Sequence, residues 1–281
     1  MRNFIKYKLD IKKFIILSFG MLFFVIVRYV LARESLLSVL IIKGKDLQPV
    51  KLTINGFLSE YPSNKCMVVD LKELKEEMFN RVDVVIALTS EAAFYLKKNY
   101  HKEKINIYAL VLMPDTLGLV GKFIGFSIYP PFDEVFKDFK SKYPYVKRVG
   151  LLYNTYSYAV ETASNSLKKN SLEPVLLQVD NFNFKYISKS LQNIDAVYFF
   201  SDAMILDEEN LLFLIRSIKS YNKIIISSHR ILLQYGIDVA YVIDYFQLGR
   251  MMALYIKKNS YLNTDNTYKI FFPSPFIVVT K

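Results

Sequence analysis

The sequence predicts an α/β fold with two lobes, each lobe a parallel sheet flanked by helices. Three strand-like runs in the second half each end in a small polar residue and give way to a helix-type pattern: residues 148–153, 196–200 and 223–228. The first half repeats this arrangement. Alternating strands and helices are typical of parallel sheets with right-handed crossovers, and a total of about nine or ten strands suits two sheets better than one. We therefore expect a cleft between two lobes.

The first half of the chain contains four predicted strands separated by helices. The strands are residues 37–42, 65–69, 82–88 and 105–113, and the helices are residues 50–60, 71–81 (with Asp70 as its cap) and 91–99. The run 82–88 is almost continuously apolar, as expected for a strand that is covered on both faces of the sheet.

Pro130 and Pro131 then open a helix, and we place the first crossing between the lobes there. The later strands are residues 148–153, 174–179, 196–201, 223–228 and 239–243, with extended runs in 270–280; the helices are 132–142, 156–170, 186–192, 207–221, 230–235 and 247–258. Asp207 and Asp244 are expected helix caps. We expect residues 36–122 plus roughly 245–281 to form lobe 1 and residues 123–244 to form lobe 2.

The N-terminal segment has the order of an export signal. Five basic residues within the first 13 precede the apolar run 14–27, and Ala32 offers a small residue at a cleavage position. A helix of this length would span about 21 Å, less than the roughly 30 Å hydrocarbon core of a membrane. If Arg28 snorkels, the segment is long enough for an uncleaved anchor. We expect residues 1–32 to be an export signal or a membrane anchor, and the protein to be exported.

The formal net charge of +11 does not indicate a nucleic-acid partner. Residues 1–32 carry six basic side chains and one acidic side chain, and the remaining excess is spread along predicted helices as single lysines. A nucleic-acid surface needs basic residues clustered with aromatic ones. Solvated helix faces explain the charge better.

Sites for metals, cofactors and catalysis are not expected. With one cysteine and two histidines, the chain has few of the side chains that bind transition metals. We interpret Cys66, in its apolar run, as a small buried hydrophobic residue. The motifs of a phosphate-binding loop, a nucleophile elbow or a dinucleotide fold do not occur. His229 follows two serines and could be imagined as a general base, but a cleft or cap histidine is the more common case.

Polar residues just past the strand ends are the first candidates for a binding site, because ligands of open parallel sheets bind outside the carboxyl ends of the strands. Thr89 and Ser90 begin a helix whose N–H groups attract an anion, although a plain helix cap is the alternative. Glu91 would repel an anion there, and it could equally select a ligand ammonium. Asn154 begins a helix in the second lobe in the same way.

Two carboxylates in opposite lobes, Asp115 and Asp202, could meet a ligand amine in a closed cleft. A role in a turn or a cap is the alternative for each.

Five segments resemble a known family. They are 82–93 (VDVVIALTSEAA), 114–120 (PDTLGLV), 145–154 (YVKRVGLLYN), 195–198 (DAVY) with Asp202, and 236–250 (GIDVAYVIDYFQLGR). In this order they resemble ABC-transporter substrate-binding proteins of the type I periplasmic-binding fold, in the branch associated with tryptophan and tyrosine uptake. The resemblance covers roughly residues 80–255. Glu91, Ile124 and Val242 depart from the family pattern.

The resemblance implies an extracytoplasmic, monomeric solute-binding protein that works with an ABC permease, at the periplasm or the outer face of the cytoplasmic membrane. It implies an amino acid as ligand, with an aromatic one as a candidate. Phe126 follows Gly125 where family members line the pocket near the hinge, and an aromatic ligand would favour Phe126 and Tyr156 as stacking partners. Tyr241 has a similar position at the second crossing. Core packing is the alternative for each of these rings.

The sequence is also compatible with a second function. A membrane-tethered sensory or scaffolding relative could keep the fold and change or lose its ligand. The long apolar N-terminus and the altered pocket residues favour it.

Overall fold

Two six-stranded sheets flanked by helices make up the part of the chain that the structure describes, as the alternation of strands and helices predicts. The computed structural model describes residues 36–179, 184–200, 202, 204–259 and 269–280, with residues 184–186 described by their backbone alone. The expected export signal or anchor at residues 1–32 lies outside them. Among the described residues, no helix combines the length and the apolar character that crossing a membrane requires.

The elements follow one another in regular βα order. The strands are β1 (Val39–Lys43), β2 (Cys66–Asp70), β3 (Val84–Leu88), β4 (Ile105–Ala109), β5 (Ile124–Phe126), β6 (Arg148–Tyr153), β7 (Glu173–Gln178), β8 (Ala196–Phe199), β9 (Ile224–Ser227), β10 (Val239–Ile243), β11 (Ile270–Phe271) and β12 (Phe276–Thr280). The helices are α1 (Gln48–Glu60), α2 (Ser90–Lys98), α3 (Phe132–Lys142), α4 (Tyr158–Lys169), α5 (Phe184–Leu191), α6 (Glu208–Ser220) and α7 (Tyr245–Lys258).

The first sheet has the strand order β11-β5-β4-β3-β1-β2, and all neighbouring strands are parallel. The chain starts in β1, moves outward to β2 and then reverses direction across the sheet through β3. The carboxyl ends of β1 and β3 therefore flank a topological switch point, which is where open α/β sheets bind their ligands.

The second sheet has the order β12-β10-β9-β8-β6-β7. Strands β6 to β10 are parallel, and β12 is antiparallel to β10. The same reversal occurs here between β6 and β8, so each lobe has its own switch point.

Apolar strands covered on both faces make the cores. Every residue of β3 and of β10 is buried, which explains why these runs lack the polar alternation of a one-sided strand. Helix α3 packs into the core of the second sheet through residues such as Phe132, Val135 and Phe136.

Two glycines bring α1 and α7 into close contact. A Cβ at Gly249 would lie 1.9 Å from the carbonyl oxygen of Thr53, and a Cβ at Gly56 would lie 1.9 Å from that of Phe246. At the end of this crossing, Nε and Nη2 of Arg250 both contact one carboxylate oxygen of Glu60, at 2.8 and 2.6 Å. Helix α7 therefore packs against α1 beside the first sheet.

The strand pairing differs from the expected lobe boundaries in two places. We expected lobe 2 to begin at residue 123, but β5 pairs with β4 in the first sheet, so the chain leaves that sheet after Phe126. We expected residues 245–281 to lie in lobe 1, but β12 pairs with β10 in the second sheet. The extended run 270–280 is thus divided between both sheets, and it adds a third connection between the lobes.

Local predictions had mixed outcomes. Asp207 and Asp244 cap α6 and α7 as expected: the Asp207 carboxylate accepts the backbone N–H of Asn210, and the Asp244 carboxylate accepts those of Phe246 and Gln247. The helix expected over residues 71–81 is wrong: two short 3-10 helices, Leu71–Glu73 and Glu76–Arg81, replace it. Asp70 makes no side-chain cap there.

Candidate functional site

A cavity of about 350 Å³ opens at the switch point of the first sheet. Lys45 and Leu47 follow β1, and Thr89, Ser90 and Glu91 follow β3; all of them line this cavity. The topology accounts for this placement, because β1 and β3 are neighbours whose connections leave the sheet in opposite directions.

An ion pair lies at the cavity edge. One carboxylate oxygen of Glu91 (Oε1) is 2.8 Å from the Lys45 ammonium, and the other (Oε2) accepts the Thr89 hydroxyl at 2.8 Å. The Lys45 contact, the backbone N–H of Glu91 and the Thr89 hydroxyl together lower the pKa of the Glu91 carboxyl. Glu91 is therefore ionised at neutral pH.

Thr89 holds a backbone conformation that almost only glycine adopts, with φ 88° and ψ 162°. Such strain costs on the order of 1–3 kcal/mol and persists where the surroundings hold it. The Thr89 N–H donates to the carbonyl oxygen of Ala109, and the Thr89 carbonyl oxygen accepts the N–H of Ala93. Gly44 leaves space for the side chain, because a Cβ there would lie 2.3 Å from the Thr89 hydroxyl oxygen.

The second lobe and the start of α7 provide the opposite wall. His229 follows β9, and Tyr245 is the first residue of α7; both line the cavity. Burial lowers the pKa of the His229 imidazole to about 4, so the ring is neutral at pH 7. Burial also raises the pKa of the Tyr245 hydroxyl. These two groups supply hydrogen-bonding capacity without net charge.

The remaining lining is apolar. It consists of Leu47, Pro49, Val50, Leu110, Leu112 and Ile128. Apolar walls with a few polar groups are typical of sites for small molecules.

A smaller hollow of about 20 Å³ shares Leu112 and Ile128 with the cavity. This volume is enough for about one water molecule. The buried Tyr108 hydroxyl, which has no hydrogen-bond partner among the described residues, lies here with Asp115. Asp115 accepts the backbone N–H of Tyr158 at 3.2 Å, so it joins a loop of the first lobe to the start of α4 in the second.

Asn154 and Asp202 follow β6 and β8, at the switch point of the second sheet, but do not line the cavity. The Asp202 carboxylate accepts the backbone N–H groups of Thr155 and Met204 at 3.1 and 3.0 Å. The Asn154 amide donates to the carbonyl oxygen of Val179. These polar groups join the loops of their own lobe.

The three aromatic candidates also lie away from the cavity lining. Phe126 is buried, with its ring 5.1 Å from that of Phe271. Tyr241 is buried and donates its hydroxyl to Asp138 at 2.8 Å. Tyr156 is 51% exposed. Of the eight predicted site residues, Thr89 and Ser90 line the large cavity and Asp115 lines the small hollow.

Sequence reasoning missed Lys45 and Tyr245 as lining residues. Both follow strand ends, β1 and β10, so the same rule that singled out Thr89 would have found them. Among the described residues, no group of acidic, histidine or cysteine side chains could hold a metal ion. Burial raises the pKa of the Cys66 thiol to about 11, which makes it a poor nucleophile at neutral pH.

Comparison with known proteins gives the same architecture. A family model described as ABC transporter substrate binding protein matches residues 63–259. No curated protein sequence matches the chain.

Three solved structures illustrate the structural likeness. A ligand-free, open substrate-binding protein with adhesive properties from Clostridium difficile has a TM-score of 0.60 at 15% identity, over 87% of this chain and 92% of that one. An ABC domain from Streptococcus pneumonia in complex with L-Trp has a TM-score of 0.53 at 19% identity, over 86% of this chain and 92% of that one. An ABC transporter solute-binding protein from Burkholderia graminis in complex with D-arabinose has a TM-score of 0.51 at 9% identity, over 87% of this chain and 95% of that one. This likeness shows the type I periplasmic-binding fold.

Proposed function

Because this chain belongs to the ABC transporter substrate-binding protein family, we propose that it binds a small solute outside the cytoplasm and delivers it to an ABC permease. The observation that carries this proposal is the cavity of about 350 Å³ at the first switch point, lined from both lobes. A solute held there would contact the loops after β1 and β3 on one side and His229 on the other.

The proposed ligand is an amino acid, with an aromatic one as the first candidate. The cavity has the size of a small metabolite, and its lining combines apolar side chains with a few polar groups. Support comes from the pneumococcal neighbour that holds L-Trp. The D-arabinose complex has the same fold, so the fold leaves the ligand open and the proposal depends on the lining residues.

We propose Thr89 and Ser90 as ligand contacts, together with Glu91 and Tyr245. Asp115 is proposed to act at the hinge, where it already joins the lobes through Tyr158. For Phe126, Asn154, Tyr156, Asp202 and Tyr241, the contacts described above favour roles in packing and loop structure.

Closure of the two lobes would signal occupancy to the permease. A ligand that contacts both lobes stabilises the closed arrangement by its differential affinity for it. We propose a monomeric protein, because one chain provides both walls of the cavity. We propose that it is exported, because the N-terminal sequence has the order of an export signal.

A thermal-shift screen with the twenty amino acids tests this function, since a ligand that binds the folded state alone raises its melting temperature. We expect an aromatic or aliphatic amino acid to raise the melting temperature of the wild type. Ser90→Trp, which fills the cavity, should abolish this rise. Phe94→Trp on the same helix is the matched control, because Phe94 is 43% exposed and does not line the cavity.

Two results would contradict the proposal: no amino acid shifts the wild type, or the shift persists in Ser90→Trp. The alternative, a membrane-tethered sensory or scaffolding relative without this ligand, is favoured by the first result. The observation in its support is the Lys45–Glu91 ion pair, which places charged groups of the chain itself at the helix end.

A further inference from the structure

The carboxylate of Glu91 already binds an ammonium group at the edge of the cavity. That ammonium belongs to Lys45 and lies 2.8 Å from one carboxylate oxygen. The second oxygen is held by the Thr89 hydroxyl, so the carboxylate is fixed by a contact that does not involve Lys45. The side that faces Lys45 can therefore exchange its partner while the carboxylate keeps its position.

The Lys45–Glu91 pair is easily opened. The side chains are 62% and 45% exposed, and exposed ion pairs contribute little to stability because water and salt screen them. Lys45 also has a long, flexible stem that can move its charge into solvent. A ligand ammonium held in a closed, less hydrated cleft would interact with Glu91 more strongly than the exposed lysine does.

Other charges at the cavity are few. Among its described lining residues, Lys45 and Glu91 are the charged ones at neutral pH, since His229 is neutral. A ligand carboxylate at the N-terminus of α2 would meet the ionised Glu91 carboxylate there. The favourable helix end is thus occupied by an anion of the chain itself.

We propose that Glu91 selects the charge of the ligand: it binds an ammonium group of the solute in place of Lys45, and it keeps a ligand carboxylate away from this end of the cavity. This inference rests on the proposed function, because it names the ligand group that the same cavity recognises. An amino acid would accordingly present its ammonium end to α2.

Three indole compounds test the inference: L-tryptophan, tryptamine, which lacks the carboxylate, and indole-3-propionate, which lacks the ammonium. The corresponding leucine set is L-leucine, isopentylamine and 4-methylpentanoate. Dissociation constants are measured by calorimetry at pH 7. In at least one set, we expect the amine to bind within about tenfold of the amino acid and the acid to bind at least about a hundredfold more weakly.

Two variants separate ligand recognition from structure. Glu91→Gln should weaken binding of the amine at least about tenfold, because the charge-assisted hydrogen bond to its ammonium group is lost. Lys45→Met should strengthen binding of the amine about threefold or more, because the competing ammonium is removed. An ion pair with a purely structural role would not give this gain in affinity. Glu161→Gln is the control, since Glu161 lies in the first turn of α4 and does not line the cavity.

The outcomes are distinguishable. If an acid binds as tightly as its amine, or if Glu91→Gln leaves amine binding unchanged, the inference is overturned while the solute-binding function stands. If none of the six compounds binds the wild type, both the inference and the proposed amino-acid ligand are overturned.

Discussion

Thr89 combines a strained backbone with a position at the cavity. Its φ of 88° is a conformation in which a Cβ is unfavourable, and its hydroxyl holds the Glu91 carboxylate. Strain at such a position is commonly part of a binding site, because the surrounding structure must hold it. We interpret Thr89 as a residue whose hydroxyl serves the site while its backbone strain lowers the stability of the fold.

Replacing Thr89 by glycine and by alanine separates these two effects. Both variants lose the hydroxyl, but only glycine accepts the φ without strain. We expect Thr89→Gly to be about 1–2 kcal/mol more stable to urea than Thr89→Ala, the reverse of the usual order of these residues. Equal stabilities, or a more stable alanine variant, would show that the backbone is not strained here.

His229 makes stability depend on pH in a definite direction. Its pKa in the folded protein is about 4, below the roughly 6.5 of an exposed imidazole. The unfolded chain therefore binds more protons than the folded one between these values, and the free energy of unfolding falls as the pH falls through this window. Above about pH 6.5 the residue contributes no pH dependence.

The measurement is urea unfolding at pH 7 and pH 5 for the wild type and His229→Gln. We expect the wild type to lose about 1–2 kcal/mol more than the variant over this interval, after allowance for the partial exposure of the ring. The subtraction removes the carboxylates that titrate in the same range. An identical loss in both proteins would mean that His229 ionises normally in the folded state.

Strand-end position predicted Thr89 and Ser90 but could not separate them from Asn154 and Asp202. All four follow buried strands. The difference lies in their hydrogen bonds: the Asp202 oxygens accept N–H groups of Thr155 and Met204, whereas Ser90 lines the cavity. Whether a polar side chain is used by its own loop depends on loop conformation, which residue type and spacing do not determine.

At the level of elements, the crossing of α1 and α7 depends on two glycines. Glycine in the middle of a helix usually destabilises it relative to alanine by about 0.5–1 kcal/mol. Here a methyl group at position 249 would lie 1.9 Å from the carbonyl oxygen of Thr53, so the two helices would have to separate.

We therefore expect Gly249→Ala to lower the free energy of unfolding by about 2 kcal/mol or more, through overpacking. Leu254→Ala on the same helix is the control; Leu254 is 48% exposed, and its loss should change stability by less than about 1 kcal/mol. Chemical denaturation of both variants measures this. A Gly249→Ala protein as stable as the wild type would contradict the tight crossing.

The elements that the sequence predicted best have strong local signals. Strand β10 and helix α3 have the bounds that were expected, because a buried strand and a proline-initiated amphipathic helix are marked in the residues themselves. Residues 71–81 have helical spacing, yet they form two 3-10 turns. The pairing of residues 276–280 with β10 is a long-range contact that no local pattern specifies.

At the scale of the whole molecule, the two sheets contribute unequally to the site. The cavity lies at the switch point of the first sheet, and His229 from the second lobe also lines it. At the second switch point, hydrogen bonds within the loops use the polar side chains. Three connections and the Asp115–Tyr158 contact join the lobes. We infer that the first lobe carries most ligand contacts and that the second completes the enclosure.

The position of the bound solute in a crystal structure tests this account most directly, using the compound that gives the largest thermal shift. We expect electron density in the cavity between Thr89 and Tyr245, with an ammonium group of the solute within hydrogen-bond distance of the Glu91 carboxylate. Density beside Asn154 and Asp202 at the carboxyl ends of β6 and β8, or outside the interlobe cavity, would contradict it.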